Sequence, residues 1–155
     1  MVKLGGSADY MRIFDVDGYA AGGFLAMGSS GEHASWELFF NYSLGVTRHG
    51  LGIERWTVGA NWDWALNRFR LGFGLRNGGI EIERATGGEI GSGFLGLSVH
   101  ASFDFAKVSD SAAFYVGVGL NLDIPVVGPA LTLGIRGDVL PGAARQKPPR
   151  EPPRR

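Results

Sequence analysis

The sequence contains no cysteine, which removes disulfide scaffolds, thiolate zinc centres and cysteine nucleophiles from the functions open to it. It carries no net charge: 15 basic and 15 acidic side chains cancel, so nucleic acid meets no general attraction. Long apolar runs are missing too. The longest stretches free of Asp, Glu, Lys and Arg, 18–31 and 90–103, hold 14 residues each and are rich in Gly, short of the roughly 18 residues that a membrane helix requires. The N-terminus holds Asp9, Arg12, Asp15 and Asp17, without the apolar run that follows the basic start of a secretory signal. It therefore reads as a mature-like chain, or as one whose true start lies upstream.

What is present is glycine, 26 of 155 residues, beside 45% hydrophobic and 12% aromatic residues and only 19% charged. Such a composition argues for order, not for a disordered or collagen-like chain. The informative pattern is alternation of period two, which sends successive side chains to opposite faces of a strand. It recurs in six segments. Trp36, Leu38, Phe40, Tyr42, Leu44 and Val46 oppose Ser35, Glu37, Phe39, Asn41, Ser43 and Gly45; Trp56 to Trp64 and Phe69 to Leu75 repeat the pattern. Leu95 to Phe105, Phe114 to Ile124 and Leu131 to Val139 complete it. Tyr19–Met27 reads as a seventh strand and Ala8–Phe14 as a weaker eighth. Short turns are expected at 28–33, 65–68, 107–111 and 125–129, and a long loop at 77–93, within which Ile80-Glu81-Ile82-Glu83 also alternates. From Pro141 the chain has five Pro, five basic residues and one Glu. This divides it into a β domain over 1–140 and a disordered, basic, Pro-rich tail over 141–155.

Alternation fits a soluble barrel with a greasy interior or a membrane barrel with a greasy exterior. The composition of the faces decides. Of 33 positions on the apolar face all but Gly137 are apolar and most are large; of 28 on the polar face eight are Gly, three Arg, five acidic and none Lys. A water-facing surface is normally long-chained and Lys-rich, whereas small residues and opposite charges suit the interior of a narrow eight-stranded barrel. The expectation is a closed antiparallel up-and-down β-barrel of about eight strands, apolar side toward lipid. Arg70, Arg76 and Arg136 would then pair in the lumen with Glu37, Asp63, Asp104, Asp123 and Asp138, because a buried unpaired charge costs several kcal/mol. Trp36, Trp62, Trp64, Phe69, Phe103, Phe105 and Phe114 all fall near the turns of one end, as an aromatic girdle does.

On segments such as Phe114-Tyr-Val-Gly-Val-Gly-Leu-Asn-Leu-Asp-Ile124 and Phe69-Arg-Leu-Gly-Phe-Gly-Leu75, the chain resembles the small eight-stranded outer-membrane barrels of the opacity-protein and OmpA type, over roughly residues 8–140. The resemblance implies a bacterial outer-membrane location, the lipid bilayer as partner, and a structural, surface-adhesion or narrow-pore role without a cofactor. Members of such families carry a signal peptide and finish on a terminal aromatic residue, neither of which this chain displays. Loop 77–93 is the candidate contact for an external partner.

Two other readings compete. A soluble lipocalin-like barrel would hold a hydrophobic ligand among Trp56, Trp62, Phe73, Phe103 and Phe114. An outer-membrane hydrolase would use His100 and Ser102, which share a strand face and look like the His-x-Ser element of lipid A deacylases, although Phe103 stands where that family has Asn. A lumen hydrogen-bond network is the simpler account of that pair. His33, His49 and His100 are too dispersed to suggest a metal site, and the Gly-x-Gly runs lack the following helix of a phosphate loop.

Overall fold

The computed structural model describes residues 1–13, 16–31, 33–109 and 111–137. Eight strands form one closed barrel: β1 (Val2–Ile13), β2 (Val16–Ser30), β3 (Ala34–Thr47), β4 (Gly52–Leu66), β5 (Phe69–Glu83), β6 (Glu89–Ser109), β7 (Ala112–Ile124) and β8 (Val126–Gly137). Each pairs antiparallel with its neighbours in sequence, and β1 pairs with β8 from Val2↔Gly137 to Ile13↔Val126, so the sheet has no free edge. Closure lets the wall's backbone groups pair within the protein, the condition for strands to cross a bilayer.

The faces fall as the alternation requires. Even-numbered positions of β3 and β4, such as Leu38, Phe40, Trp56 and Trp62, point outward and are exposed; their odd-numbered neighbours Glu37, Ser43, Arg55 and Asp63 are buried inside. Leu38 and Val118, each in the middle of its strand, are 59% exposed. An apolar surface of this extent is foreign to a water-soluble monomer, and it rings the whole barrel, from Leu4 on β1 to Leu131 and Leu133 on β8. The wall is that of a transmembrane barrel.

Glycine supplies room within. Phe24, Phe39 and Phe94 point into the lumen, each against a glycine on an adjoining strand: Gly5, Gly59 and Gly78. A Cβ at Gly59 would stand 2.6 Å from the Phe39 ring. An aromatic ring thus fits inside a narrow barrel only where the facing residue has no side chain.

Several boundaries differ from the sequence expectation. β1 begins at Val2 rather than Ala8, and β2 runs beyond Tyr19–Met27 at both ends. β7 and β8 are separated by Pro125 alone, not by a turn over 125–129. The expected loop at 77–93 is mostly strand: pairing continues to Glu83↔Glu89, leaving 84–88 as the turn, with positive φ at Gly87 and Gly88. The expected tail over 141–155 lies outside the described residues.

Candidate functional site

The lumen is the candidate site, and strand register brings its charges together in two groups. In the middle, Arg55 on β4 donates to Asp123 on β7 at 2.6 Å, and Arg76 on β5 lies 3.7 Å from the same carboxylate. Asn121 on β7 donates to Asp9 on β1 at 3.5 Å, which places a second acid in this group. Nearer the end where β1 begins and β8 stops, Lys3 bridges Glu37 at 2.7 Å and Asp63 at 3.1 Å, and His100 Nε2 meets Asp63 Oδ1 at 2.5 Å. Arg136 pairs with Asp104 at 2.7 Å, donates to Ser102 Oγ at 3.0 Å and lies over the Tyr115 ring at 4.3 Å. Arg70 donates to Ser35 Oγ at 3.1 Å.

Among the described residues the inward charges are Lys3, Arg55, Arg70, Arg76 and Arg136 against Asp9, Glu37, Asp63, Asp104 and Asp123, which balance. A low-dielectric interior tolerates charge only when it is paired and hydrogen-bonded. Between the two groups lies a cavity of about 130 Å³ lined by Asn41, Asn61, Ser98 and Asn121 together with the Phe24, Phe39 and Tyr115 rings.

Of the expected lumen residues, Glu37, Asp63, Arg70, Arg76, Asp104, Asp123 and Arg136 all face inward; Asp138 lies outside the described residues. Arg70 meets a serine rather than an acid. Lys3, Asp9 and Arg55 were not among the expected lumen residues; Lys3 adds from β1 the one residue type missing from the polar face of the six alternating segments. His100 and Ser102 line the same cavity. His100 meets Asp63 and Ser102 accepts from Arg136, and both face the lumen rather than the apolar outer wall, which is the face a lipid A deacylase would need. The soluble-carrier reading fails on orientation: Trp56, Trp62, Phe73 and Phe114 are exposed on the outside, and Phe103 packs there against Phe69.

Outside, the seven expected aromatics gather at one end along β3 to β7. Trp36 and Trp62 are cross-strand partners, Trp62 stacks on Phe73 at 5.4 Å, Phe69 meets Phe103 at 4.8 Å and Phe105 stacks on Phe114 at 6.2 Å. A second group, unforeseen from the sequence, sits toward the other end. Tyr10 and Tyr19 are cross-strand partners 5.3 Å apart, Tyr42 pairs with Trp56, and the Tyr10 hydroxyl donates to Asp17 at 2.7 Å. Hydroxyls that reach acidic residues while their rings lie on apolar wall mark a water boundary. Beyond it the outer face turns acidic, with Glu54 opposite Glu81 and Glu83 opposite Glu89.

No protein-family model matches the chain, and no curated protein does. Solved structures do match. Neisserial surface protein A, NspA, superposes with a TM-score of 0.63 at 13% identity over 88% of this chain and 94% of that one. Ail, the attachment invasion locus protein of Yersinia pestis, gives a TM-score of 0.56 at 10% identity over 86% of this chain and 93% of its own. The same protein in complex with the heparin analogue sucrose octasulfate matches equally, at 0.56 and 10%. The likeness extends over nearly the full length of both partners, and the fold it defines is the small eight-stranded outer-membrane β-barrel.

Proposed function

We propose that the chain is a non-enzymatic integral protein of a bacterial outer membrane, a structural barrel that holds a short acidic hairpin above the bilayer. The observation that carries this reading is the apolar wall, continuous around all eight strands and bounded toward each end by aromatic side chains, with its charges turned inward into a balanced lumen. The lumen charges serve as structural ion pairs across the barrel, and the outer Trp and Phe side chains as the interfacial girdle. The reading is tested by purification. The folded protein is expected to require detergent and to migrate differently on gels before and after heating; a monomer soluble without detergent overturns it.

Surface adhesion is the more specific version of this role. It is supported by the projecting end of β5 and β6, where Glu81, Glu83 and Glu89 stand on the outer face beyond the tyrosines. The sign of these charges favours a cationic partner, opposite to the sulfated heparin analogue held by Ail. Retention of the purified protein on immobilised polylysine, lost in the Glu81→Gln/Glu83→Gln/Glu89→Gln variant, is the expected outcome; equal retention of both removes this assignment.

A further inference from the structure

Charged and amide side chains run along most of the lumen, interleaved with the Phe24, Phe39 and Tyr115 rings, but one end is apolar. At the end that carries the 84–88 turn, Met11, Ile13, Ala20, Ile53, Ile80 and Val126 form one buried cluster with Ile82 packed on it. They converge from the last residues of β1, the first part of β2, the beginnings of β4 and β8 and the last part of β5. Met11 and Val126 are only 1% exposed. Phe94 from β6 is also buried near this level, with the Arg55 guanidinium 4.9 Å from its ring. Below come the Arg55–Asp123 pair and then the cavity of about 130 Å³, where amides, hydroxyls and charges meet the Phe24, Phe39 and Tyr115 rings. At the opposite end the inner side chains are polar; Lys3, Glu37, Asp63 and Arg136 are buried, while His100 and Asp104 reach solvent, at 22% and 21% exposed.

We propose that the apolar cluster is a hydrophobic gate, so that the lumen is a water-filled vestibule open only at the end where β1 begins and β8 stops. Each half of the statement has a physical basis. A water occupies about 30 Å³ at liquid density and needs two to four polar partners, so a cavity of about 130 Å³ holds roughly four waters among its amides, hydroxyls and charges. Arg76 also lines it, with a buried Nε that has no acceptor among the described residues. The collar of Met, Ile, Val and Ala side chains offers water no hydrogen bond, and hydrophobic constrictions of this kind close a path by dewetting. Paired charges alone do not seal a lumen, because water solvates them. The collar therefore sets the permeability of the barrel, and the ion pairs set its stability.

The proposal rests on the membrane-spanning reading, and its tests separate the two. In unmodified protein reconstituted in lipid nanodiscs, methyl–water cross-relaxation is expected at the Ala130 and Thr132 methyls, which line the cavity, and absent at the Met11, Ile53 and Ile80 methyls. Wet collar methyls, or a dry Thr132, overturn it. In planar bilayers the unmodified protein is expected to stay closed. The Met11→Ser/Ile80→Ser variant, with folding verified by its heat-dependent gel mobility, is expected to raise small-ion current at least tenfold, and Asp104→Asn at the polar mouth to leave the barrel closed. Conduction by the unmodified barrel, a folded collar variant that remains closed, or opening by Asp104→Asn overturns the gate. Failure of the membrane reading appears differently, as protein that never needs detergent.

Discussion

Arg55 and Asp123 meet at 2.6 Å inside the barrel, from strands that are not neighbours, and both side chains are buried. The pair spans the lumen and ties β4 to β7. Among the described residues Arg55→Ala leaves Asp123 with the more distant Arg76, and breaking a buried pair costs roughly 3–5 kcal/mol because the remaining charge is stranded. Urea unfolding of the barrel from phospholipid vesicles is expected to register that loss. The Arg55→Met/Asp123→Leu variant is expected to recover part of it, since no charge is then stranded; equal stability of Arg55→Ala and the parent contradicts the lumen assignment.

A second pair of variants compares inside with outside. Arg136 holds Asp104, Ser102 and the Tyr115 ring, so Arg136→Ala is expected to destabilise the barrel by roughly 3 kcal/mol. Lys107 is exposed near the end of β6, and Lys107→Ala is expected to change stability by less than about 0.5 kcal/mol. The same unfolding assay reads both, and equal effects refute the interior placement.

The barrel and most of its lumen were legible because lipid and lumen impose opposite demands on alternate residues, and the segments from Trp36 onward carry that contrast plainly. The reading failed where the contrast inverts. Above the tyrosines the outer face meets water and the inner face meets the collar, so Glu54, Glu81 and Glu83 point out while Ile53, Ile80 and Ile82 point in. The backbone alternation continues unbroken, but its polarity reverses. With Gly78-Gly79 and Gly87-Gly88 nearby, the stretch looks like a loop. Arg55 was missed for the same reason: it follows Glu54, and two adjacent charges give no face until the height of the strand is known. Lys3 was missed because Gly5 and Gly6 interrupt the pattern on β1, and only pairing with β2 and β8 settles which way it points.

The lipid-facing wall predicts a depth profile. Val118 lies at the centre of β7 on the outer face, and Val118→Arg is expected to cost about 2–4 kcal/mol, the range for a cation at the bilayer midplane. Tyr19→Arg, at the tyrosine level, is expected to cost about 0–1 kcal/mol. Unfolding from vesicles distinguishes them; a soluble carrier would tolerate both substitutions alike on its outer surface.

Ser102 accepts from Arg136 inside the lumen, away from acyl chains. Ser102→Ala is accordingly expected to leave lipid A unaltered relative to membranes containing the unmodified protein, as read by mass analysis. A difference in acylation between the two restores the hydrolase reading.

The central claim is that the apolar face of these strands meets lipid. Its most direct measurement is the behaviour of the urea-unfolded chain when diluted into phospholipid vesicles and, separately, into plain buffer. Folding in vesicles to a heat-sensitive gel band that floats with lipid, together with aggregation in buffer, is the predicted result. A folded monomer in buffer that ignores the vesicles contradicts it.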